Sequence, residues 1–415
     1  MTMNTSKVFF LCSIIVLLIS LILIVSIWRL KKHVSLMEMW KSFKVSSEAP
    51  PGLPVHMSSN LRTISYFDYN TLKKATGNFQ PKNELGSGGF GPVYQGRLDD
   101  DRRIAVKQLC LGKSGQGETE FLSEVRMLSS IQHKNLVCLV GCCSAGSQRL
   151  LVYEFMENRS LDRFLFDNNE VFLNWKLRFK IILGIARGLQ YLHEDSNVRI
   201  VHRDIKASNI LLDERFQPKI SDFGLARLFP EGEAYLSAQL AGTLGYTAPE
   251  YALKGELSEK ADIYSFGVLI LEIISSRTNT DLTLPHRMQY LPEYAWKLYD
   301  NSMIIELVDP RLKADGIEEA DVLPVCQVAL LCLQPSPSSR PSMSEVVSML
   351  TSKAKQIPSP NKPAFMDRKI EINMDVILPF SLESMSESSS LSPPSDSLLN
   401  TQELCGQISI VKSAD

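Results

Sequence analysis

The order of a few short motifs is the feature that most constrains the fold of this chain. A glycine-rich run comes first, and a lysine, a glutamate and two aspartate-containing segments follow it. The motifs are Gly86-Ser87-Gly88-Gly89-Phe90-Gly91-Pro92-Val93, Ile104-Ala105-Val106-Lys107, Glu124, His202-Arg203-Asp204-Ile205-Lys206-Ala207-Ser208-Asn209, Asp222-Phe223-Gly224 and Ala248-Pro249-Glu250. One fixed residue matches by chance about one time in twenty. A dozen matches in one order therefore indicate a single functional architecture.

The glycine-rich run predicts a β-hairpin rather than the start of a helix. In dinucleotide-binding folds the same spacing of glycines opens a helix. Here the run leads into a turn at Asp99-Asp100-Asp101 and then into a strand over 104–109. Glycines at positions 86, 88 and 91 let backbone N–H groups approach phosphate oxygens without obstruction by side chains. We therefore expect a phosphate-covering hairpin, with Val93 and Ala105 placed to cover an adenine ring.

Lys107 and Glu124 predict a charge pair at this nucleotide site. Lys107 lies near the end of the strand, and Glu124 lies in a helix expected around 116–131. In that helix Phe121 and Leu128 share one face, which should point back at the strands. Taken alone, either charge would be read as a solvated surface group. Within the ordered set, we expect Lys107 to contact the α- and β-phosphates and Glu124 to orient it.

The two aspartate segments predict phosphoryl-transfer chemistry. Asp204 can accept or orient the proton of a hydroxyl, and Lys206 can neutralise the charge that develops on a γ-phosphate. Asn209 and Asp222 offer hard oxygen ligands suited to Mg²⁺, with Mn²⁺ as an alternative. Such catalysis depends on positioning and on charge stabilisation, so few groups suffice but each must be present. The predicted cofactors are therefore ATP and Mg²⁺.

Composition excludes other classes of function. The chain has 415 residues and a net charge of −2, which gives no basis for a nucleic-acid interface. Its eight cysteines include no C-x-x-C pair, and Cys142 and Cys143 are adjacent. We therefore expect reduced, buried thiols in a cytosolic domain rather than disulfides or a metal site.

Residues 8–28 predict one transmembrane helix. The segment is uncharged and almost wholly apolar, and about 21 helical residues span about 30 Å. Arg29, Lys31 and Lys32 follow it, so the positive-inside tendency places the later part of the chain in the cytosol. A cleaved signal peptide would need a shorter apolar core and small residues at a cleavage site, which Ser26-Ile27-Trp28-Arg29 does not supply. We expect a single-pass plasma-membrane protein in which only residues 1–7 precede the helix.

The rest of the chain divides into a linker, one domain and a tail. Residues 29–66 are polar and proline-interrupted, which is typical of a linker. Residues 67–352 predict an α+β fold with a β-rich lobe to about 156 and a helical lobe over 157–352. The expected elements include strands at 136–140 and 149–155 and helices at 175–192 and 261–274. Residues 353–415 are serine-rich and aperiodic, which predicts a disordered tail.

From about residue 67 to 352, about 70% of its length, the chain resembles a eukaryotic protein kinase domain. Within that class it resembles the plant receptor-like serine/threonine kinases related to Pelle and the interleukin-receptor-associated kinases. The resemblance rests on residues 85–93, 118–137, 202–213, 242–251 and 262–267. It implies a bilobal kinase fold preceded by one transmembrane helix.

The resemblance also implies roles for single residues. Asp204 would be the proton acceptor, and Tyr153 the gatekeeper before a hinge at 154–156. Glu250 would pair with Arg340, and Asp262 would brace the backbone of the catalytic loop. The implied ATP-binding residues are Leu85, Gly86, Ser87, Gly88, Gly89, Phe90, Gly91, Val93, Ala105, Lys107, Glu124, Tyr153, Glu154, Met156 and Leu211, and the implied metal ligands are Asn209 and Asp222.

Specificity and regulation follow from the same resemblance. Lys206 two residues after Asp204 is typical of serine/threonine kinases, and Arg203 is the residue that holds a phosphorylated activation loop in such enzymes. Candidate phosphosites are Ser237 and Thr243. The chain departs from many relatives at 238–239, which are Ala and Gln instead of a second hydroxyl residue and a basic residue. A large ectodomain is not expected, and a cysteine-rich-receptor type is the favoured subclass.

Two functions remain open from the sequence. The favoured one is an active, membrane-anchored serine/threonine kinase that acts on protein substrates with a membrane co-receptor or by self-association. The alternative is a non-catalytic scaffold with a kinase fold. Damage at the lysine, aspartate or asparagine positions would favour the scaffold, and none is damaged.

Overall fold

The computed structural model describes residues 64–88, 91–109, 116–167, 171–230, 232–352 and 357–362. The predicted membrane segment 8–28, nearly all of the linker and most of the tail lie outside these residues, as do Gly89 and Phe90. Within the described ranges, no helix combines the length and the apolar character needed to cross a bilayer.

A twisted sheet of six strands forms the first lobe. Its strands are β1 (Ser65–Tyr66), β2 (Glu84–Gly88), β3 (Gly91–Arg97), β4 (Arg103–Gln108), β5 (Leu139–Ala145) and β6 (Gln148–Glu154). Their order in the sheet is β1-β5-β6-β4-β3-β2, antiparallel except that β1 runs parallel to β5. The glycine-rich run forms the β2–β3 hairpin, with Gly88 opposite Gly91, which confirms the predicted hairpin.

Alternation along β4 decides which side chains face the cleft. Successive strand residues point to opposite faces of a sheet. Ile104 and Val106 are buried in a small core with Leu72. Ala105 and Lys107 therefore lie on the other face, which is covered by the second helix and the helical lobe.

Ten α-helices are described. They are α1 (Tyr69–Ala75), α2 (Gln116–Ser130), α3 (Asp162–Leu165), α4 (Trp175–Gln190), α5 (Pro249–Lys254), α6 (Glu259–Ser275), α7 (Leu291–Asp300), α8 (Pro310–Ala314), α9 (Glu319–Cys332) and α10 (Met343–Thr351). Helix α2 packs on the sheet through Phe121 and Leu128, and the same face carries the buried Glu124. This confirms the predicted helix and its inward face.

Helix α6 is the centre of the second lobe. Its residues from Ala261 to Ser275 are all buried, as the apolar stretch at 261–274 predicts. The helix begins after Ser258, whose side chain accepts a hydrogen bond from the N–H of Lys260, and it ends at Ser276, which has a left-handed backbone. The predicted helix at 175–192 is α4, continued by a π-helical turn over Tyr191–Asp195.

Short strand pairs position the catalytic segments between the helices. The pairs are β7 (Ile200–Val201) with β10 (Arg227–Leu228), β8 (Ile210–Leu212) with β9 (Pro218–Ile220), and β11 (Leu236–Ser237) with β12 (Glu256–Leu257), all antiparallel. Asn209 comes directly before β8, and Ser221-Asp222 comes directly after β9. The β8–β9 hairpin therefore brings Asn209 and Asp222 side by side.

Some boundaries differ from the sequence expectations. The strand expected at 136–140 begins at Leu139, because Val137 instead donates a backbone hydrogen bond to Ile220 at 2.9 Å. Among the described residues the first element is β1, just before the expected domain start. At the other end Asn361, which the sequence interpretation assigns to the tail, accepts a hydrogen bond from Gln334 at 3.0 Å.

The cysteines that the structure describes are free thiols. They are Cys138, Cys142, Cys143, Cys326 and Cys332. Burial raises the pKa of the Cys142 thiol to about 11. For Cys142, Cys143, Cys326 and Cys332 the expectation of reduced, buried thiols is confirmed, whereas Cys138 is only half-buried.

Candidate active site

Lys107 joins the two lobes through a pair of carboxylates. Its Nζ lies 2.8 Å from Oδ1 of Asp222 and 3.3 Å from Oε2 of Glu124. Lys107 and Glu124 are 7% and 1% exposed, so this pair is shielded from solvent. The predicted contact between the strand lysine and the helix glutamate is therefore present, and Asp222 completes it from the helical lobe.

Mutual attraction keeps Lys107 and Asp222 charged despite burial. Burial disfavours the ammonium form of Lys107, but the two carboxylates outweigh it and raise the pKa of the amine. Burial also opposes ionisation of Asp222, but Lys107 outweighs it and lowers the pKa of that carboxyl. The ammonium group of Lys107 is thus a fixed cation beside the Asp222 carboxylate.

Tyr153 contributes a contact that the motif analysis did not anticipate. Its hydroxyl donates a 2.5 Å hydrogen bond to Oε1 of Glu124. Burial and then the Glu124 carboxylate raise the pKa of Tyr153, so the phenol keeps its proton and remains a donor. In the sheet, Tyr153 pairs with Ala105. Tyr153 therefore links the lining of the predicted adenine pocket to the carboxylate that orients Lys107.

Polar side chains surround the carboxylate of Asp204. Its Oδ1 accepts a hydrogen bond from the Thr243 hydroxyl at 2.7 Å, and its Oδ2 lies 2.9 Å from Nζ of Lys206. The Asn209 amide donates to the backbone oxygen of Asp204 at 2.8 Å and to its Oδ2 at 2.9 Å. Lys206 also donates to the Thr243 hydroxyl at 2.8 Å. The carboxylate is thereby held in one orientation.

Buried groups beneath the loop fix its backbone. Asp262 of α6 accepts hydrogen bonds from the N–H groups of His202 and Arg203 at 2.7 and 2.8 Å, so the expected bracing contact is present. Asp262 also lies 2.9 Å from Nε2 of His193. The His202 ring is fully buried, packs edge-on against Phe223, and its Nε2 donates to the Ser221 carbonyl at 3.0 Å. These contacts give His202 a structural role beneath the loop.

The remaining nucleotide candidates lie in β2, β3, β4 and β8 and in the connection between the lobes. Leu85, Gly86 and Ser87 lie in β2, Val93 and Ala105 are half-buried in β3 and β4, and Met156 and Leu211 follow in the connection and β8. A Cβ added to Gly86 would meet no protein atom within 4 Å, so crowding by the protein does not require glycine there. The Glu154 carboxylate turns toward Cys138 N at 2.8 Å and Lys219 Nζ at 3.0 Å.

The donor set fits a hard divalent cation that is shared with a phosphate. Mg²⁺ is usually bound by one or two protein oxygens together with phosphate oxygens and waters. The N–H of Ser221 donates to the Asn209 carbonyl at 2.9 Å, which keeps Asn209 beside Asp222. No cluster of three or more His, Cys, Asp or Glu side chains suited to a metal occurs within the described residues. A cation there would therefore depend on the nucleotide for its other ligands.

The two candidate phosphosites differ in their surroundings. Ser237 is exposed in β11, opposite Glu256 of β12. Thr243 is half-buried, and its hydroxyl is the group bonded to Asp204. A phosphate on Thr243 would bring a dianion against that carboxylate. Of the two, Ser237 has the more accessible hydroxyl.

Two buried carboxylates, those of Glu250 and Glu272, hold residues 246–250 against the helical lobe. Glu250 and Arg340 form the expected pair through two parallel hydrogen bonds of 2.7 Å. Glu272 of α6, fully buried, accepts hydrogen bonds from the Tyr246 hydroxyl at 2.7 Å and the Asn279 N–H at 2.8 Å. The contacts of Glu272 were not predicted, because no motif includes that residue.

Comparison with known families agrees with this geometry. Residues 79–350 match the family described as protein tyrosine and serine/threonine kinase. The match covers more than half of the chain, so the protein belongs to this family of protein kinases. The resemblance inferred from the motifs is thereby confirmed.

The most similar curated proteins include receptor-like kinases of Arabidopsis thaliana. A probable LRR receptor-like serine/threonine-protein kinase is 50% identical over 72% of this chain and 29% of its own length. Cysteine-rich receptor-like protein kinase 2 is 47% identical over 76% of this chain and 49% of its own. G-type lectin S-receptor-like serine/threonine-protein kinase B120 is 48% identical over 76% and 37%.

The chain thus spans less than half the length of these relatives. Relatives of the leucine-rich, lectin and cysteine-rich receptor types match with nearly equal identity. The preference for the cysteine-rich type therefore stays a prediction.

Proposed function

We propose that this protein is a membrane-anchored serine/threonine protein kinase that transfers the γ-phosphate of ATP to hydroxyl groups of protein substrates. The observation that carries the proposal is the Lys107 ammonium between Glu124 and Asp222, in one cleft with Asn209 and Asp204. Membership of the protein kinase family supports it. The receptor-like serine/threonine kinases among the relatives support the choice of acceptor hydroxyl.

Each catalytic side chain has a defined part in the transfer. The substrate hydroxyl oxygen forms a bond to the γ-phosphorus while the bond from that phosphorus to the β–γ bridging oxygen breaks, leaving ADP. Asp204 orients the hydroxyl and accepts its proton. Lys206, which lies 2.9 Å from Asp204, neutralises charge on the transferred group, and Lys107 holds the α- and β-phosphates.

The metal ligands and the glycine hairpin complete the site. Asn209 and Asp222 would hold Mg²⁺, with Mn²⁺ as an alternative, and a bound cation neutralises charge on the phosphates. The hairpin around Gly86 would cover the phosphates, since its open space leaves room for a close approach of the backbone. Leu85, Val93, Ala105, Met156 and Leu211 would enclose the adenine, and Tyr153 would close the back of the pocket.

Membrane attachment and regulation are further parts of the proposal. Residues 8–28 would anchor the protein in the plasma membrane and leave the kinase domain in the cytoplasm. A co-receptor or a second copy would then bring two kinase domains together. We infer that phosphorylation of the activation loop follows, and the exposed hydroxyl of Ser237 supports that residue as the acceptor.

The scaffold alternative has less support. A non-catalytic member of this family needs none of the groups that bind phosphate or accept a proton. Here all of these groups are present, with Lys107 bonded to Asp222 and Asn209 bonded to Asp204. Their arrangement favours catalysis.

Phosphoryl transfer by the purified full chain tests the proposal. With MgATP, the wild type should phosphorylate itself and casein on serine and threonine, read by phosphoamino-acid analysis. Asp222→Asn and Asp204→Asn each remove a charged group from the reacting centre and should each lower the rate at least about 100-fold. That loss corresponds to about 2.8 kcal/mol of barrier, because each factor of ten corresponds to about 1.4 kcal/mol. Asp315→Asn removes the same charge from an exposed site and should leave the rate unchanged. Equal rates in wild type and Asp222→Asn would refute the assignment.

Membrane anchoring needs its own experiment. The wild type should sediment with membranes and resist alkaline extraction, whereas a variant lacking residues 8–28 should be released. Retention of the deletion variant in the membrane would contradict the proposed anchor.

A further inference from the structure

The hydroxyl of Tyr251 connects three segments that the motifs leave separate. It accepts hydrogen bonds from Nη2 and Nε of Arg203 at 2.5 and 3.1 Å and from the N–H of Ala241 at 3.0 Å. It donates one hydrogen bond to the carbonyl oxygen of Gln239 at 2.7 Å. A phenolic hydroxyl has one proton and two lone pairs. Here the proton goes to Gln239, and the three N–H groups of Arg203 and Ala241 share the lone pairs. Tyr251 is only 2% exposed.

The hydrogen bonds described for the guanidinium of Arg203, the residue before Asp204, all go to neutral oxygens. Besides the Tyr251 hydroxyl, it donates to the carbonyl of Gln239 at 2.8 Å and to that of Leu225 at 3.3 Å. Among the side chains that the structure describes, no carboxylate lies within ion-pairing distance of it. A phosphorylated loop would place its phosphate beside Arg203. In this structure the Tyr251 hydroxyl and the carbonyl oxygens of Gln239 and Leu225 already accept the hydrogen bonds of Arg203.

Backbone geometry ties this contact to the catalytic carboxylate. Gly242 has φ 109°, and a Cβ there would lie 2.4 Å from the carbonyl oxygen of Arg203. The loop backbone thus rests directly on Arg203, itself at φ 75°. The next residue, Thr243, donates the hydrogen bond to Asp204. A displacement of 239–241 would therefore move Thr243 away from the carboxylate.

A phosphate on Ser237 would not replace these contacts. Ser237 lies opposite Glu256 in the β11–β12 pair, and side chains directly opposite in an antiparallel pair lie about 5 Å apart. A phosphoserine there would meet a like charge. The position of this loop in the unmodified chain must therefore be held by contacts other than those of a phosphate on Ser237.

We propose that Tyr251 is a positioning residue, whose hydroxyl holds the activation loop (residues 229–248) against Arg203 without a phosphate. This inference rests on the proposed kinase function. Phosphorylation of Ser237 then acts on a loop that is already in place, and the unmodified protein has basal activity.

Kinetics of the full chain in detergent micelles test the proposal, with casein and MgATP as substrates. Ser237→Ala alone should keep kcat within about threefold of wild type. Adding Tyr251→Phe, which keeps the ring and removes only the hydroxyl, should lower kcat at least about tenfold while KM for ATP stays within about twofold. Tyr264→Phe, which removes another buried hydroxyl bonded to Tyr290 at 3.1 Å, is the matched control and should leave kcat within about twofold.

Hydrogen exchange supplies a readout that does not depend on activity. Tyr251→Phe should accelerate exchange of amides in 236–243 and leave helix α6 unchanged. The proposal is overturned if kcat and exchange match those of the Ser237→Ala parent, if exchange accelerates throughout the domain, or if Ser237→Ala alone is as inactive as Asp222→Asn. Absence of transfer by the wild type would refute the proposed function instead, while local exchange would still decide the role of Tyr251.

Discussion

Glu272→Gln should make the protein more stable in alkaline solution and leave it unchanged in mild acid. Glu272 is fully buried in α6. Burial raises its pKa from 4.5 to about 7, although hydrogen bonds from Tyr246 and Asn279 oppose the shift. Glutamine has nearly the same shape, can accept from the Asn279 N–H and carries no charge to desolvate.

The sign of the effect follows from proton binding. Between pH 4.5 and about 7 the folded protein binds a proton at Glu272 that the unfolded chain releases. The free energy of unfolding therefore falls as pH rises through this window, and the full cost of the buried charge is present above it. A shift from 4.5 to about 7 corresponds to about 3 kcal/mol at 1.36 kcal/mol per unit of pKa.

Thermal unfolding of the full chain, followed by tryptophan fluorescence, checks this prediction. At pH 8 the variant should melt on the order of 6 °C above wild type, at roughly 2 °C per kcal/mol for a domain of this size. At pH 5 the two should melt together. Glu214→Gln, at a side chain 69% exposed, should show no pH-dependent difference. A variant that is less stable at pH 8, or equally shifted at both pH values, would refute the reasoning.

Two further predictions concern packing and backbone geometry. Asp309→Asn should lower the free energy of unfolding by about 3–5 kcal/mol, because it leaves the buried Arg178, 2.5 Å away, without its counter-ion; an unchanged denaturation midpoint would contradict this. Gly242→Ala should lower kcat at least about tenfold, since its Cβ would strike the carbonyl of Arg203. Gly316→Ala, also at positive φ but with open space around it, should keep kcat, and equal rates for both alanine variants would exclude the steric explanation.

Local patterns predicted the contacts that lie within one element or one motif. The glycine run turned back into β3, and the 3.6-residue period placed Glu124 on the inward face of α2. In each case the informative spacing lies within a few residues, so the sequence alone was sufficient.

Contacts between distant segments that no motif links left no such trace. The Tyr153–Glu124 bond joins residues 29 positions apart, and the Arg203–Tyr251 bond joins residues 48 apart. No periodicity indicates that two such side chains will meet. The strand at 136–140 was misplaced for a related reason, because the backbone of Val137 bonds to Ile220, which is remote in sequence.

Strand β1 has a practical consequence for handling the molecule. It enters the sheet beside β5, whereas the glycine hairpin β2–β3 occupies the opposite edge. A tether attached just before Ser65 would transmit force to β5 and then to its neighbour β6. Strand β6 leads into the connection between the lobes. Force-spectroscopy handles at that end would thus report on bending at the lobe junction while leaving the nucleotide entrance unobstructed.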